Sequence, residues 1–359
     1  MKNIFIAFSP LNVLLCYCVA LTYRAHEDNI FFIVSDFNES LKFSDAIRAN
    51  KSSPFSAVYC LGGGYGRKGR LSNWLVRRKN ILIIKDFIKK NQIKNAYSTN
   101  DMDGDGQAML HFAKKKNKYV KGIFIEDGSA VYNDYIREKR PFWKILLAKI
   151  FYGWWWEGIK IVGTSSGVDS IMVRQPEFLR PELKNKEVIA IKKEDFIKLK
   201  EDIFFLNYIE KLGVKEEELN QIDVLLLFTY CGFFETEEYR EKVLKKILKL
   251  AHDCKLRIAV KYHPRDNFED FLSVKNVKDI IVLPRGLPLE LFYLFASKSL
   301  KFVIGDVSTG LLTAKWLFSD NVRVISIAKM LNFQDSCLET FKKQKVELPN
   351  NFDSLFEKQ

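Results

Sequence analysis

The sequence is poor in histidine and has no cysteine pattern of the kind that holds a metal. Its 359 residues include four histidines: His26, His111, His252 and His263. The six cysteines, Cys16, Cys18, Cys60, Cys231, Cys254 and Cys337, form no CxxC pair and no Cys/His zinc spacing. Most lie among apolar neighbours, as buried free thiols do, and suit a reducing compartment. There is no apolar run of about 18 residues, so no spanning helix is expected. The apolar start, Met1 to Ala20, has one lysine, an interruption at Ser9-Pro10 and no small-residue cleavage site. It reads as a strand, a turn and a helix rather than a signal peptide. GxxxxGK[ST] is absent, and Gly62-Gly63-Gly64-Tyr65-Gly66 is not GxGxxG, so neither a P-loop nor a dinucleotide site is read. Low-complexity segments and short repeats are also missing. The net charge of +13 suits nucleic acid, anionic membrane or anionic sugars equally well. No nucleic-acid module is readable, and a lysine-rich proteome would produce the same balance.

What the chain does have is apolar and aromatic bulk. It is 47% hydrophobic, with 29 Phe and 14 Tyr, enough to bury sizeable cores. Its length suits two domains. In the first half, strands alternate with helices. Strands are predicted at Ile4–Phe8, Ile30–Val34, Ala57–Leu61, Asn95–Ser98 and Tyr119–Ile125. Helices are predicted at Asn12–His26, Leu71–Lys90 and around Gln107–Lys116. This rhythm implies a parallel sheet with helices on both faces. From Tyr135 to about Lys215 it breaks. Short strands are expected at Ile159–Gly163 and Ile171–Val173, and Lys184–Glu218 reads as a charged, largely helical hinge. The rhythm resumes with strands at Ile222–Phe228, Leu256–Tyr262, Ile280–Leu283, Phe302–Ile304 and Val322–Ile327, and with a helix at Thr236–Cys254. Two α/β halves joined by a hinge make the cleft between them the expected site.

Several motifs fall at predicted strand ends, where open α/β sheets bind ligands. His263-Pro264 follows the strand ending at Tyr262, because proline ends the ladder and keeps His263 out of helical geometry. Lys261 and Arg265 flank it and favour an anion. Asp306-Val307-Ser308-Thr309-Gly310 opens a helix. Ser and Thr there ordinarily cap, but the same geometry points N–H groups and hydroxyls at an anion such as a sugar-nucleotide phosphate. Arg285-Gly286-Leu287-Pro288 leads into a helix with Glu290 in its first turn. That is ordinary capping chemistry, and also a carboxylate able to accept two ribose hydroxyls. Glu126-Asp127-Gly128-Ser129 puts adjacent carboxylates at a strand end, where one can act as a general base or simply cap. Asp127 is favoured as base, since Gly128 lets the chain turn there and Glu126 then points back toward a neighbouring strand or loop. Asp101-Met102-Asp103-Gly104-Asp105-Gly106 begins like a calcium loop, but Phe112 stands where the twelfth position needs Glu, so calcium is rejected. That loop is expected on the cleft rim, contacting sugar. Arg140-Pro141-Phe142-Trp143-Lys144 through Trp154-Trp155-Trp156 mixes aromatics with lysines, as a membrane interface, a bound glycan or a core-facing helix would.

Glu126-Asp127-Gly128, His263-Pro264 and Ser308-Thr309, in that order across two α/β halves, resemble the acid-acid-Gly, His-Pro and Ser/Thr motifs of bacterial sialyltransferases with a GT-B fold. The nearest groups are the lipooligosaccharide sialyltransferases and the capsular polysialyltransferases. The similarity runs from about Asn3 to Ile327, and Leu287–Glu290 is similar to the family's ribose-binding Pro/Glu element. The resemblance implies an α/β, GT-B architecture of two Rossmann-like domains facing across a cleft. Residues 1–215 would form the acceptor domain with the hinge, and residues 216–359 the nucleotide-sugar domain. It implies His263 as general acid and Asp127 or Glu126 as base. It also implies donor contacts at Ser9, Pro264, Gly286, Pro288, Glu290, Ser308 and Thr309. The expected reaction is inverting, metal-independent transfer of sialic acid from CMP-sialic acid to a bacterial surface glycan, with no cofactor and no nucleic-acid partner. The expected location is the cytoplasm, peripheral at the inner face of the cytoplasmic membrane. The Arg140–Trp156 stretch matches no family motif. Rival readings are a Kdo transferase, a sugar-nucleotide epimerase of the same two-domain form, and a non-catalytic glycan- or nucleotide-binding module.

Overall fold

The computed structural model describes residues 1–64, 69–134, 136, 141–230, 242–243, 245–246, 249–250, 253–264, 266, 270, 272–296, 298–333, 337–352 and 355. The chain divides into two compact units, Met1–Leu199 and Lys200–Gln359. Unit 1 is built on seven strands: β1 (Lys2–Ala7), β2 (Asp28–Val34), β3 (Ala57–Leu61), β4 (Ile93–Ser98), β5 (Lys121–Ile125), β6 (Ser170–Val173) and β7 (Glu187–Ala190). They pair in parallel in the order β3-β2-β1-β4-β5-β6-β7. The main helices are α1 (Pro10–Tyr23), α2 (Ser40–Ala49), α3 (Arg70–Lys90), α4 (Gly104–Lys116) and α5 (Phe142–Tyr152). The central strands are apolar on both faces because helices cover both. Isoleucines and phenylalanines of β1, β2 and β5 join Met109 and Leu110 of α4 in one core. Every residue from Asn12 to Ala20 of α1 is buried, so the apolar start of the chain lies in the protein interior.

Unit 2 repeats the plan with five parallel strands: β8 (Val224–Leu227), β9 (Ile258–Lys261), β10 (Ile280–Val282), β11 (Phe302–Gly305) and β12 (Arg323–Ser326). Their order is β10-β9-β8-β11-β12. In each unit the first strand lies next to the fourth, so the winding direction reverses beside it. Such a switch point leaves room at the carboxyl ends of the two strands, β1 and β4 in unit 1, β8 and β11 in unit 2. The helix Gly310–Phe318 leaves β11 at that position, as α1 leaves β1.

Some elements differ from expectation. Ile159–Gly163 is not a strand; it bends into a turn, with Gly163 at φ 79°. A strand absent from the expectation, β7, lies in the charged segment and pairs Val188 with Ile171 at the sheet margin. Its exposed Glu187 and Ala190 hide the apolar signal of a buried strand. The unit boundary falls at Leu199/Lys200 rather than near 215. Asp202 caps a helix, Ile203–Lys211, that buries Phe204, Phe205, Tyr208 and Ile209, so these residues belong to unit 2. His26 lies beyond α1 with φ 65°, in the turn to β2, rather than on a helix. Cys16 and Cys18 are buried free thiols, with Cys18 pushed up to about 12 by burial, whereas Cys254 is exposed. Tyr65, Gly66, Arg140, Cys231, His252, Arg265 and much of the expected helix Thr236–Cys254 lie outside the described residues. Among the described residues no helix is long and apolar enough to cross a membrane.

Candidate active site

In unit 1 the functional side chains gather where β1, β4 and β5 end. Ser9 is the N-cap of α1, its hydroxyl accepting from the Asn12 N–H at 3.2 Å, with Pro10 in the first turn. This cap starts α1 directly after β1 and brings buried Asn12 back to the strand end. The Asn12 side-chain amide donates to Asp127 Oδ1 at 3.1 Å. Asp127 follows β5, and Gly128 takes the turn with φ 67°, a conformation in which a side chain would be strained. Burial pushes the Asp127 carboxyl up to about 6; the Asn12 hydrogen bond opposes this, and the nearby acids Asp103, Glu126 and Asp101 add to it. A half-buried carboxylate titrating close to neutrality is suited to taking a proton.

Its neighbour Glu126 is held quite differently. Glu126 is fully buried, and its carboxylate accepts from the Arg174 backbone N–H at 2.6 Å, from Arg174 Nε and from the Tyr132 hydroxyl. The Tyr132 oxygen in turn accepts from the Gln175 N–H at 3.2 Å. Glu126 therefore ties the end of β5 to the segment after β6, and its oxygens are occupied. The period-two alternation of an extended strand end separates the two acids in this way.

In the Asp101–Gly106 loop two of the three acids, Asp101 and Asp105, are internal clamps, and Asp103 is half-buried. Asp101 is fully buried and accepts from the N–H groups of Gly163 at 2.7 Å and Ser165 at 2.9 Å. Asp105 is buried against Arg77 and Asn80, and Arg77 also pairs with Asp36. The alternating acids that imitate a calcium loop are thus spent on turns and on α3. Among the described residues no three His, Cys, Asp or Glu side chains gather as a metal site.

In unit 2 the remaining motif residues line the carboxyl edge of the sheet. His263 follows β9, its N–H donating to Asp266 Oδ2 at 3.1 Å, while the Asp266 N–H returns to the His263 carbonyl at 3.0 Å. This paired turn fixes the half-buried imidazole beside Tyr230, ring centroids 6.1 Å apart, with exposed Pro264 following. Pro288 is the N-cap of the helix Leu289–Phe295, which carries buried Glu290 in its first turn. Lys261, also buried, donates to the Arg285 carbonyl at 3.1 Å and so holds the Arg285-Gly286 loop to β9. Burial lowers Lys261 to about 8, against the opposing attraction of Glu290. After β11, Asp306 accepts from the N–H groups of Thr229 and Val307 and joins the ends of β8 and β11 at the switch point. Ser308 accepts one long bond, 3.3 Å, from the Gly310 N–H, and Thr309 makes no side-chain cap bond. Gly310 lets the two helix starts approach closely: a Cβ there would lie 2.2 Å from Leu289 Cδ2, so the leucine tip would have to move. The Tyr293 hydroxyl also donates to the Gly310 carbonyl at 3.0 Å. His263, Gly286, Pro288, Glu290, Ser308 and Thr309 thus lie on linked turns of one sheet edge. Ser9 belongs to unit 1, as Asp127 does.

Three residues of this architecture were missed by motif reading. Asn12 is masked by the apolar residues around it. Lys261 was read only as a flanking charge. Arg285 has a buried Nη2 with no hydrogen-bond partner among the described residues. An Asn or a buried Lys in an apolar run is the one sequence signal that marks such positions.

The fold is shared by solved sugar-nucleotide enzymes. A UDP-GlcNAc 2-epimerase from Methanocaldococcus jannaschii is 14% identical, with a TM-score of 0.59 over 98% of this chain and 90% of that one. A UDP-glucosyltransferase from Polygonum tinctorium is 9% identical, with a TM-score of 0.54 over 97% and 84%. At such identities the likeness is one of fold, the GT-B type. No curated protein matches the chain significantly. The family model described as alpha-2,8-polysialyltransferase matches residues 3–326, a span that takes in both sheets and every motif residue placed above. The chain is a glycosyltransferase of GT-B fold and belongs to the alpha-2,8-polysialyltransferase family.

Proposed function

We propose that the protein is an inverting, metal-independent sialyltransferase that moves sialic acid from CMP-sialic acid to a hydroxyl of a bacterial surface glycan, lipooligosaccharide or capsule. It would work in the cytoplasm, in peripheral contact with the inner face of the cytoplasmic membrane. Unit 1 contributes the base, and unit 2 the acid and the donor contacts. Asp127 takes the acceptor hydroxyl proton as that oxygen attacks the anomeric carbon. The bond from that carbon to the phosphate oxygen breaks, and His263 gives its proton to the departing CMP phosphate. One displacement inverts the anomeric centre. Ser308, Thr309 and the helix start hold the single phosphate, and Gly286, Pro288 and Glu290 the ribose. Ser9 acts by capping α1, which keeps Asn12 on the base.

The observation that carries this reading is the contrast within the acid pair: Glu126 is locked by Arg174 and Tyr132, while Asp127, held by a single amide, titrates near 6. Metal independence is supported by the internal engagement of the Asp101 and Asp105 carboxylates. The test is a donor panel of CMP-sialic acid, CMP-Kdo and UDP-GlcNAc, read by nucleotide release and by chromatography of the sugar nucleotides. CMP release from CMP-sialic acid is expected. Turnover of UDP-GlcNAc instead would transfer the reading to an epimerase, and binding of CMP without turnover of any donor would leave a binding module.

A further inference from the structure

The helix α5 reverses the usual distribution of side chains. Phe142, Trp143, Leu146, Leu147 and Ile150 on it, and Trp154 just after it, are exposed, Phe142 by 78% and Trp154 by 73%. Ala148 alone is buried among the residues of α5. Positions 143, 146, 147 and 150 follow helical spacing, so they form one stripe, and exposed Trp154 follows the helix end at Gly153. The other side of this segment is anchored. Phe151 packs on Trp74 of α3 with centroids 4.5 Å apart, and Tyr152 lies against Gly104, where a Cβ would come within 2.9 Å. Trp155 stacks on His111 of α4, and Trp156 is buried. The bare stripe is therefore the outward face of a fixed helix.

Charge selects its occupant. Lys144 lies over the Trp143 ring and Lys149 over the Trp154 ring, at 5.3 and 5.8 Å. From Pro141 to Trp156 there is no acidic residue, and Arg137, Lys139 and Arg140 precede the helix in sequence. Two copies meeting through this face would bring like charges together, whereas an anionic lipid surface neutralises them. Eleven residues make a helix of about 16 Å, too short to span a hydrocarbon core of about 30 Å, so it would lie in the interfacial plane.

We propose that α5 with Trp154 is the surface by which unit 1 docks on an anionic bilayer, its apolar stripe among the acyl chains and Lys144 and Lys149 at the headgroups. This deepens the membrane contact in the proposed function and rests on that reading for its setting. Because α5 packs on the start of α4, which follows β4, docking holds the sheet edge that carries Asp127 close to the bilayer.

The full chain is mixed with sucrose-loaded vesicles of phosphatidylcholine, with and without phosphatidylglycerol, and sedimented. Preferential binding to phosphatidylglycerol vesicles, weakened by salt, is expected. Trp143→Ser with Ile150→Ser should lower binding roughly tenfold or more at an unchanged melting temperature, since two large side chains leave the acyl region. Lys144→Glu with Lys149→Glu should remove the preference for the anionic lipid. In the unaltered protein, brominated acyl chains should quench tryptophan fluorescence. Equal sedimentation of the Trp143→Ser, Ile150→Ser protein, absence of quenching, or a dimer in sedimentation equilibrium dissolved by the same pair of changes would each overturn the proposal. None of these readouts uses turnover, so a failed donor panel leaves them standing, and the reverse holds too.

Discussion

Asp127→Asn should inactivate the protein and stabilise it at the same time. The substituted amide keeps a carbonyl oxygen for the Asn12 hydrogen bond but cannot take a proton. Transfer should fall by about 10²–10⁴ with CMP affinity unchanged. The stability change follows from the carboxyl lying near 6 in place of 3.8. At about 1.4 kcal/mol per pKa unit, holding the charge in the folded protein costs about 3 kcal/mol. Water reaches the half-buried group, so about 1–2 kcal/mol is the expected magnitude. A folded-state value above the unfolded one means that the folded protein binds this proton more tightly. Stability of the unaltered protein therefore falls as pH rises from 3.8 to about 6 and stays lowered above that. The variant escapes this penalty. It should melt about 2–8 °C higher at about pH 7.5, keep about half of the advantage near pH 5 and lose it below about pH 4. Transfer by the unaltered protein should rise through about pH 6 as Asp127 loses its proton. Scanning calorimetry across pH and CMP-release assays measure both effects. A variant that melts no higher than the unaltered protein at about pH 7.5, or that still transfers, would refute the reasoning.

Glu126→Gln should act in the opposite sense, lowering stability by about 3 kcal/mol because buried Arg174 loses the carboxylate charge opposite it, while reducing transfer less than Asp127→Asn; denaturant titration and single-turnover kinetics separate the two effects. His263→Ala should lower transfer by about 10²–10⁴ and spare CMP binding; near-normal turnover would remove the acid from His263. Ser308→Ala with Thr309→Ala should chiefly weaken CMP affinity by calorimetry, since neither hydroxyl is needed for a strong cap; unchanged affinity would return both to a capping role. Transfer should persist in excess EDTA, and loss on chelation restored by manganese would contradict the proposed phosphate grip.

The architecture was readable because the apolar strands are contiguous and the turns carry glycine, proline and acids at their ends. Ala57–Leu61 is a strand over the predicted residues, and the two sheets repeat the predicted alternation. Where the reading failed, a local signal was overridden by a tertiary one. Ile159–Gly163 has strand composition, but Gly163 and Ser165 give their N–H groups to Asp101, which fixes a turn. β7 has the charge of a hinge because it lies at a sheet margin. The acids of the Asp101–Gly106 loop are ranked by burial, which spacing does not report. The Glu126/Asp127 pair was legible as to which acid turns inward, but not as to its partners. Arg174 is 48 residues away in sequence, and Asn12 is 115 residues from Asp127.

The close approach at Gly310 has a consequence for how this sheet edge can change over generations. One missing methyl group lets the helix Gly310–Phe318 start against Leu289, and Leu289 stands between Pro288 and Glu290. Any side chain introduced at position 310 would first displace the tip of Leu289, a half-buried side chain that can turn to another rotamer. Change at position 310 is therefore felt first between Pro288 and Glu290, through one leucine methyl rather than through the backbone of either loop. Positions 289 and 310 form a pair in which a smaller residue at one makes room for a larger residue at the other.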